Sequence, residues 1–107
     1  MNYSSHVVEV LRSATFDRWL TKLKDQRAAA RVLIRINRLA AGNPDDVKPV
    51  GQGVSELRIN YGPGYRIYYL HHGDQVVLLL TGGDKATQDA DIRKAHLIAA
   101  EWSRDRL

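Results

Sequence analysis

The stretch Glu56-Leu-Arg-Ile-Asn-Tyr-Gly-Pro-Gly-Tyr-Arg-Ile-Tyr-Tyr-Leu70 places two runs of β-forming residues on either side of the turn-forming segment 60–64. This pattern predicts a β-hairpin. Arg58 stands two residues before the turn segment, and Arg66 stands two residues after it. Cross-strand neighbours lie about 5 Å apart, so we expect the two guanidinium groups to lie close together. Two strand arginines without an obvious carboxylate for each indicate an anion site.

The composition is that of one small globular domain spanning residues 1–107. The chain has 44% hydrophobic and 26% charged residues, which is ordinary for a chain that buries a single core. No apolar run is long enough to span a bilayer, and the N-terminus lacks the basic-then-apolar layout of a signal peptide. Cysteine is absent, which excludes disulfides and thiolate metal sites and is consistent with a cytoplasmic protein.

The charge of the chain favours an acidic partner. Its formal net charge is +4 and its pI is about 9.6, which fits either nucleic acid or an acidic protein segment. A basic surface that binds no polyanion is equally open on charge alone.

The first half of the chain predicts a strand followed by a helical hairpin. Residues 7–11 read as a strand, and Ser13 or Thr15 can cap a helix that runs to about residue 23. Asp25 can cap a second helix over 26–41, which Gly42 ends. A short edge strand follows over 47–50, because Pro49 cannot donate a hydrogen bond to a neighbouring strand.

The second half predicts a sheet and one helix. After the hairpin strands at 55–59 and 65–72, residues 75–81 form an apolar run typical of a strand covered on both faces. Residues 82–85 predict a flexible loop, and Thr87 is the expected cap of the last helix. The resulting order, β-α-α-β-β-β-β-α, is that of an α+β domain.

Several short motifs accompany this order: Phe16-x-x-Trp19-Leu20-x-x-Leu23, Gly42-Asn43, Lys48-Pro49-Val50-Gly51-x-Gly53-Val54, Glu56-Leu57-Arg58-Ile59, Gly62-Pro63-Gly64-Tyr65-Arg66-Ile67-Tyr68-Tyr69 and Leu80-x-Gly82-Gly83-Asp84-Lys85-x-x-Gln88. In these motifs the chain resembles toxins of the RelE/ParE superfamily of type II toxin–antitoxin modules. Within it, the chain looks like the HigB-like branch of addiction module killer proteins and phage-derived Gp49-like proteins.

This resemblance implies a small, mixed, mostly antiparallel sheet with a helical hairpin and a C-terminal helix, the helices lying on one side. It also implies an endoribonuclease that cuts mRNA in the ribosomal A site without a metal or other cofactor. Its implied partners are the ribosome, mRNA and a cognate antitoxin, expected to be a helix-turn-helix protein.

The same resemblance, read residue by residue, implies a site. Its catalytic members would be Arg58, Arg66 and Lys85, and its substrate-binding members would be Lys48, Tyr68 and Gln88. Guanidinium groups bind phosphate oxygens bidentately and stay charged, so the arginines suit a crowded phosphorane. Lys85 suits an acid, or a base if neighbouring cations lower its pKa. No metal site is expected, because histidines and carboxylates do not stand at ligand spacing.

Each of these residues has a simpler structural interpretation. Arg58 and Arg66 can pair with Glu56, Asp84 or the C-terminal region as ordinary ion pairs. The tyrosines can be sheet packing, and the adjacent His71 and His72 can be exposed residues beside a turn, pointing to opposite faces of their strand.

Two positions depart from the nuclease members of the superfamily. Glu56 stands where some of them carry a lysine, and the last helix ends without their functional Tyr or His pair. The alternatives are therefore a non-nuclease toxin of the same fold that inhibits DNA gyrase, and an inactive relic that only binds its antitoxin. The nuclease interpretation requires that Arg58 and Arg66 converge on one pocket and are not each held by a buried carboxylate.

Overall fold

The structure, a computed structural model, describes residues 8–105 of the chain. Its elements follow the predicted α+β order: β1 (Glu9–Arg12), α1 (Ala14–Lys22), α2 (Gln26–Ala40), β2 (Val47–Pro49), β3 (Val54–Ile59), β4 (Tyr65–His72), β5 (Val76–Asp84), a 3-10 turn (Lys85–Thr87) and α3 (Gln88–Asp105). The predicted first strand began at Val7, which lies outside the described residues.

One five-stranded sheet has the spatial order β1-β5-β4-β3-β2. The β1–β5 pair is parallel, and the other three pairs are antiparallel, so the predicted mixed, mostly antiparallel sheet is confirmed. Strand β5 lies inside the sheet, and each residue from Val77 to Leu80 is at most 4% exposed. The prediction of a strand covered on both faces is therefore confirmed.

Helices cover both faces of this sheet, which corrects the expectation that they lie on one side. The α1–α2 hairpin packs Phe16 and Val32 against Leu57 and other odd-numbered positions of β3. Helix α3 packs Ala95 against Tyr68 and its neighbours on the opposite face. Both faces need a cover because the central strands carry apolar residues on each of them, such as Leu57 on one face and Leu80 on the other.

Side-chain caps fix where the first two helices begin. The Ser13 hydroxyl accepts a hydrogen bond from Phe16 N at 2.9 Å and donates one to the Leu80 carbonyl at 2.6 Å. It therefore caps α1 and ties it to β5 at the same time. Asp25 caps α2 by accepting from the backbone N–H groups of its first turn, as predicted.

The Gly82-Gly83 pair belongs to β5, so the predicted flexible loop is wrong. A Cβ on Gly82 would lie 2.3 Å from the Trp19 ring, and one on Gly83 would lie 1.8 Å from the Asp91 carboxylate. Close packing from both faces therefore selects glycine here. The sequence pattern suggested glycines that break a strand, because it does not show what packs against them.

The turn after β5 has a cap of its own, which the sequence did not predict. Asp84 caps the 3-10 turn: its carboxylate accepts hydrogen bonds from Ala86 N and Thr87 N. Thr87, the predicted cap of the last helix, directly precedes α3, and that capping role stays a prediction. Thr87 takes the third position of this capping box, where its hydroxyl accepts from Asp84 N. The capped turn leads the chain from the end of β5 directly into α3.

Within residues 8–105, the helices are all too short or too polar to cross a membrane.

Candidate functional site

The β3–β4 hairpin brings the two strand arginines together as predicted. Arg58 and Arg66 are directly opposite each other in the antiparallel register. Both lie on the α3 face of the sheet, because they share the alternation of Glu56 and Tyr68. The turn between the strands contains Gly64 at φ +82°, a backbone conformation that favours glycine.

A cleft of about 440 Å³ opens at this end of the sheet. It is lined by Asp46, Arg58, Ile59, Asn60, Gly64, Tyr65, Arg66 and Lys85. All three side chains predicted to be catalytic, Arg58, Arg66 and Lys85, thus line one cleft. Lys85 approaches from the 3-10 turn, and its Cβ would lie 3.6 Å from a Cβ built on Gly64.

Arg66 is held tightly within this cleft. Its Nη1 donates a hydrogen bond to the Gly64 carbonyl at 2.9 Å, and its Nε lies 3.5 Å from Oε2 of Glu56. The Arg66 side chain is 12% exposed and that of Glu56 is fully buried. A backbone carbonyl and a buried carboxylate therefore fix the orientation of the guanidinium group.

Arg58 has a more open environment. Its Nη2 contacts Oδ1 of Asp46 at 3.0 Å, and the two side chains are 38% and 51% exposed. Exposed ion pairs of this kind contribute little to stability, because water solvates both partners. The backbone of Arg58 is better anchored, since its carbonyl accepts a hydrogen bond from Arg35 at 2.7 Å.

Glu56 lies beneath the cleft at the centre of a polar cluster. Its Oε2 accepts hydrogen bonds from the Tyr68 hydroxyl at 3.0 Å and from Gln88 Nε2 at 2.8 Å. Burial, followed by the nearby Glu56 carboxylate, raises the pKa of Tyr68. Tyr68 therefore stays a protonated donor to Glu56.

The residues predicted to bind substrate lie outside the cleft lining. Tyr68 is 0% exposed beneath α3, so its side chain does not reach a surface where it could contact substrate, as the substrate-binding prediction requires. Gln88 is half-buried and bonded to Glu56. Lys48 is exposed on edge strand β2, opposite Glu56 in the register.

The ion-pair interpretation is partly confirmed. Arg66 does pair with Glu56, whereas Arg58 pairs with Asp46, which the sequence reasoning did not consider. The nuclease interpretation required that Arg58 and Arg66 line one pocket and that they are not both held by buried carboxylates. Both arginines do line one cleft. Glu56, which holds Arg66, is buried, whereas Asp46, which pairs with Arg58, is exposed. Sequence reasoning missed Asp46 because it lies in a loop, and no local pattern connects it to Arg58.

The two adjacent histidines lie away from the cleft lining. His71 and His72 are exposed at the far end of β4, as the simpler interpretation predicted. Among residues 8–105, no cluster of three or more histidine, aspartate or glutamate side chains could hold a metal ion.

Three comparisons place this chain among known proteins. It is 49% identical over 94 residues to an uncharacterized protein of Haemophilus influenzae, a match that covers 88% of this chain and 95% of that protein. A chain from the crystal structure of the Mycobacterium tuberculosis toxin–antitoxin complex RelBE2 matches with a TM-score of 0.57 and 24% identity. That match covers 73% of this chain and 98% of the other, and it shows a shared fold. The family model "Phage derived protein Gp49-like" matches residues 18–103, and the chain therefore belongs to the Gp49-like family.

Proposed function

We propose that this chain is the toxin of a type II toxin–antitoxin module, of the HigB-like branch, and that it cleaves mRNA on the ribosome and so inhibits translation. The observation that carries the proposal is the convergence of Arg58, Arg66 and Lys85 on one cleft. Membership of the Gp49-like family and the fold shared with a chain of a toxin–antitoxin complex support it. The site of action would be the cytoplasm.

The chemistry is metal-independent transesterification. The 2′-hydroxyl of the RNA loses its proton to water and attacks the adjacent phosphorus. The bond to the 5′-oxygen breaks, and a 2′,3′-cyclic phosphate and a free 5′-hydroxyl result. Arg58 and Arg66 would stabilise the negative charge of the pentacoordinate phosphorane through bidentate contacts. Lys85, exposed at the mouth of the cleft, would donate the proton that the leaving 5′-oxygen takes up.

Two variants test this assignment. Arg66→Ala removes the most rigidly held cation and should abolish growth inhibition on induction. Lys85→Ala removes an exposed side chain, so it should leave the fold intact and reduce cleavage at least about 100-fold, the lower end of what a general acid contributes.

A matched control for the loss of one positive charge is Arg18→Ala. Arg18 is exposed on α1, and its guanidinium donates a hydrogen bond to the Thr15 hydroxyl within the same helix. This variant should remain toxic. Folded and fully toxic variants at both Arg66 and Lys85 would remove these residues from the mechanism. A native chain that never inhibits growth would instead indicate a relic that only binds its antitoxin.

Inhibition of DNA gyrase is the second candidate, and the ion pairs favour it. Arg58 faces Asp46 and Arg66 faces Glu56, so two carboxylates offset part of the positive charge that a phosphate would meet. Primer extension on cellular mRNA after induction separates the candidates. Discrete cuts within codons support the nuclease, whereas intact mRNA with a DNA-damage response supports the gyrase inhibitor.

The expected partner is a cognate antitoxin of the helix-turn-helix type, encoded next to this gene. An acidic surface of the antitoxin that covers Arg58 and Lys85 would block the cleft and neutralise its charge. Co-expression with the neighbouring gene should restore growth and yield a complex that purifies as one species. Failure of the neighbouring protein to bind would contradict this part of the proposal.

A further inference from the structure

The polar cluster around Glu56 is unusual because it is buried and only partly satisfied. The Tyr68 hydroxyl, the Gln88 amide and the Arg66 guanidinium all approach the same oxygen, Oε2. The other oxygen, Oε1, is buried without a hydrogen-bond partner among the described residues. Nε of Arg66 makes no hydrogen bond to them either, so its 3.5 Å approach to Oε2 is an ion-pair contact. A buried polar atom without a partner costs stability, and Nε of Arg35 and of Arg58 are likewise without one among the described residues. Glu56 differs from them because it is a fully buried carboxylate.

The cluster connects three separate elements to the cleft. Glu56 comes from β3, Tyr68 from β4 and Gln88 from the first turn of α3. Of the groups that touch Glu56, Arg66 alone reaches the cleft lining. The buried carboxylate therefore faces the cleft only through the guanidinium group of Arg66.

We propose that Glu56 is a positioning residue, which holds the Arg66 guanidinium in the orientation needed to receive a phosphate oxygen. This inference rests on the proposed function. Oε2 and the Gly64 carbonyl contact the Nε and Nη1 sides of the guanidinium. A group held on two sides loses less conformational entropy when a phosphate binds its remaining edge.

Whereas the positioning of Arg66 favours phosphate binding, the negative charge of Glu56 by itself opposes it. A carboxylate near Arg66 lowers the positive potential of the cleft and so weakens phosphate binding. Orientation and charge thus make different predictions when the carboxylate is replaced by an amide. If orientation dominates, the amide lowers kcat; if charge dominates, it strengthens binding and leaves kcat unchanged or higher.

Glu56→Gln keeps the shape of the side chain and removes its charge. The first measurement is the Nε–Hε signal of Arg66 in a ¹H–¹⁵N NMR spectrum of the full chain. We expect this signal to shift and to weaken at least about twofold, because the Nε proton exchanges faster with water when its ionic partner is lost. The second is cleavage of mRNA on programmed ribosomes, in which kcat should fall at least about tenfold while KM stays unchanged.

Asp46→Asn is the matched control. It removes the same charge from the other ion pair of the cleft, beside Arg58 instead of Arg66. The Arg66 signal should keep its position and intensity in this variant. Titration with inorganic phosphate, followed on the same signal, reports whether either variant binds the anion more tightly.

The outcomes are distinct. An unchanged Arg66 signal together with unchanged kcat in Glu56→Gln overturns the proposal, as does tighter phosphate binding without a loss of kcat. If Glu56→Gln does not fold, Tyr68→Phe removes one hydrogen bond to Oε2 without changing charge, and the same shift of the Arg66 signal is expected. If the native chain cleaves no mRNA, the nuclease proposal fails, while the NMR comparison still decides whether Glu56 positions Arg66.

Discussion

Replacing Gly83 with alanine would place a methyl group where the Asp91 carboxylate now lies. The added Cβ would be 1.8 Å from Oδ2 of Asp91, whereas ordinary contacts begin at 3.4 Å, so the carboxylate must retreat by about 1.6 Å. That movement breaks the hydrogen bond from the Thr87 hydroxyl to Asp91. Overpacking costs about 1–3 kcal/mol, and a lost hydrogen bond to a charged group costs about 1.5–3 kcal/mol. Partial relaxation leaves an expected loss of about 2–4 kcal/mol in the free energy of unfolding.

Thermal unfolding followed by circular dichroism measures this loss. In a domain of about 100 residues each kcal/mol lowers Tm by about 4–8 °C, so Gly83→Ala should lower Tm by about 10–25 °C. Gly73→Ala is the matched control, because Gly73 has φ +65° and open space around it. Only backbone strain of about 1–2 kcal/mol acts there. If Gly83→Ala lowers Tm no more than Gly73→Ala does, the close packing of α3 on β5 is refuted.

Two further predictions concern the stability of the sheet. Ser13→Ala removes both the cap of α1 and the hydrogen bond to the Leu80 carbonyl. It should lower the free energy of unfolding, measured by urea denaturation, by about 1–3 kcal/mol. The control Thr15→Ala, inside the first turn of α1, should change this free energy by less than about 0.5 kcal/mol. Burial raises the pKa of Tyr68 above its ordinary value of 10.0, so the unfolded chain releases this proton at lower pH than the folded chain does. The stability that follows is present below about pH 10 and is lost as the pH rises further. Tyr68→Phe should therefore show a shallower loss of stability above about pH 10, and an identical slope would contradict the assigned environment.

The hairpin and its arginine pair could be predicted because they follow from local rules. Alternation along each strand and the turn residues between them set the register that places Arg58 opposite Arg66. The helical hairpin was predictable for the same reason, since Asp25 caps α2 and Gly42 follows its end. These features depend on residues that are close in sequence.

The features that could not be predicted depend on tertiary contacts. Gly82 and Gly83 indicate a strand break until the positions of Trp19 and Asp91 are known. The burial of Tyr68 depends on α3, and the one-residue shift in the β4–β5 register between Tyr68 and Tyr69 follows from no local pattern. Glu56 was predicted to differ from nuclease relatives, but no sequence pattern indicates that a carboxylate lies fully buried beneath an arginine.

The parallel pairing of β1 with β5 has a consequence during synthesis of the chain. Glu9 pairs with Val76, and the Ser13 hydroxyl bonds to a residue 67 positions away. Contacts over such a distance form late, because a long loop must close first. A nascent chain that stops before residue 76 leaves β1 without its neighbour and β4 with an open edge. Lys85 follows β5 in the chain, so the cleft gains its third cation only after β5 has left the ribosome.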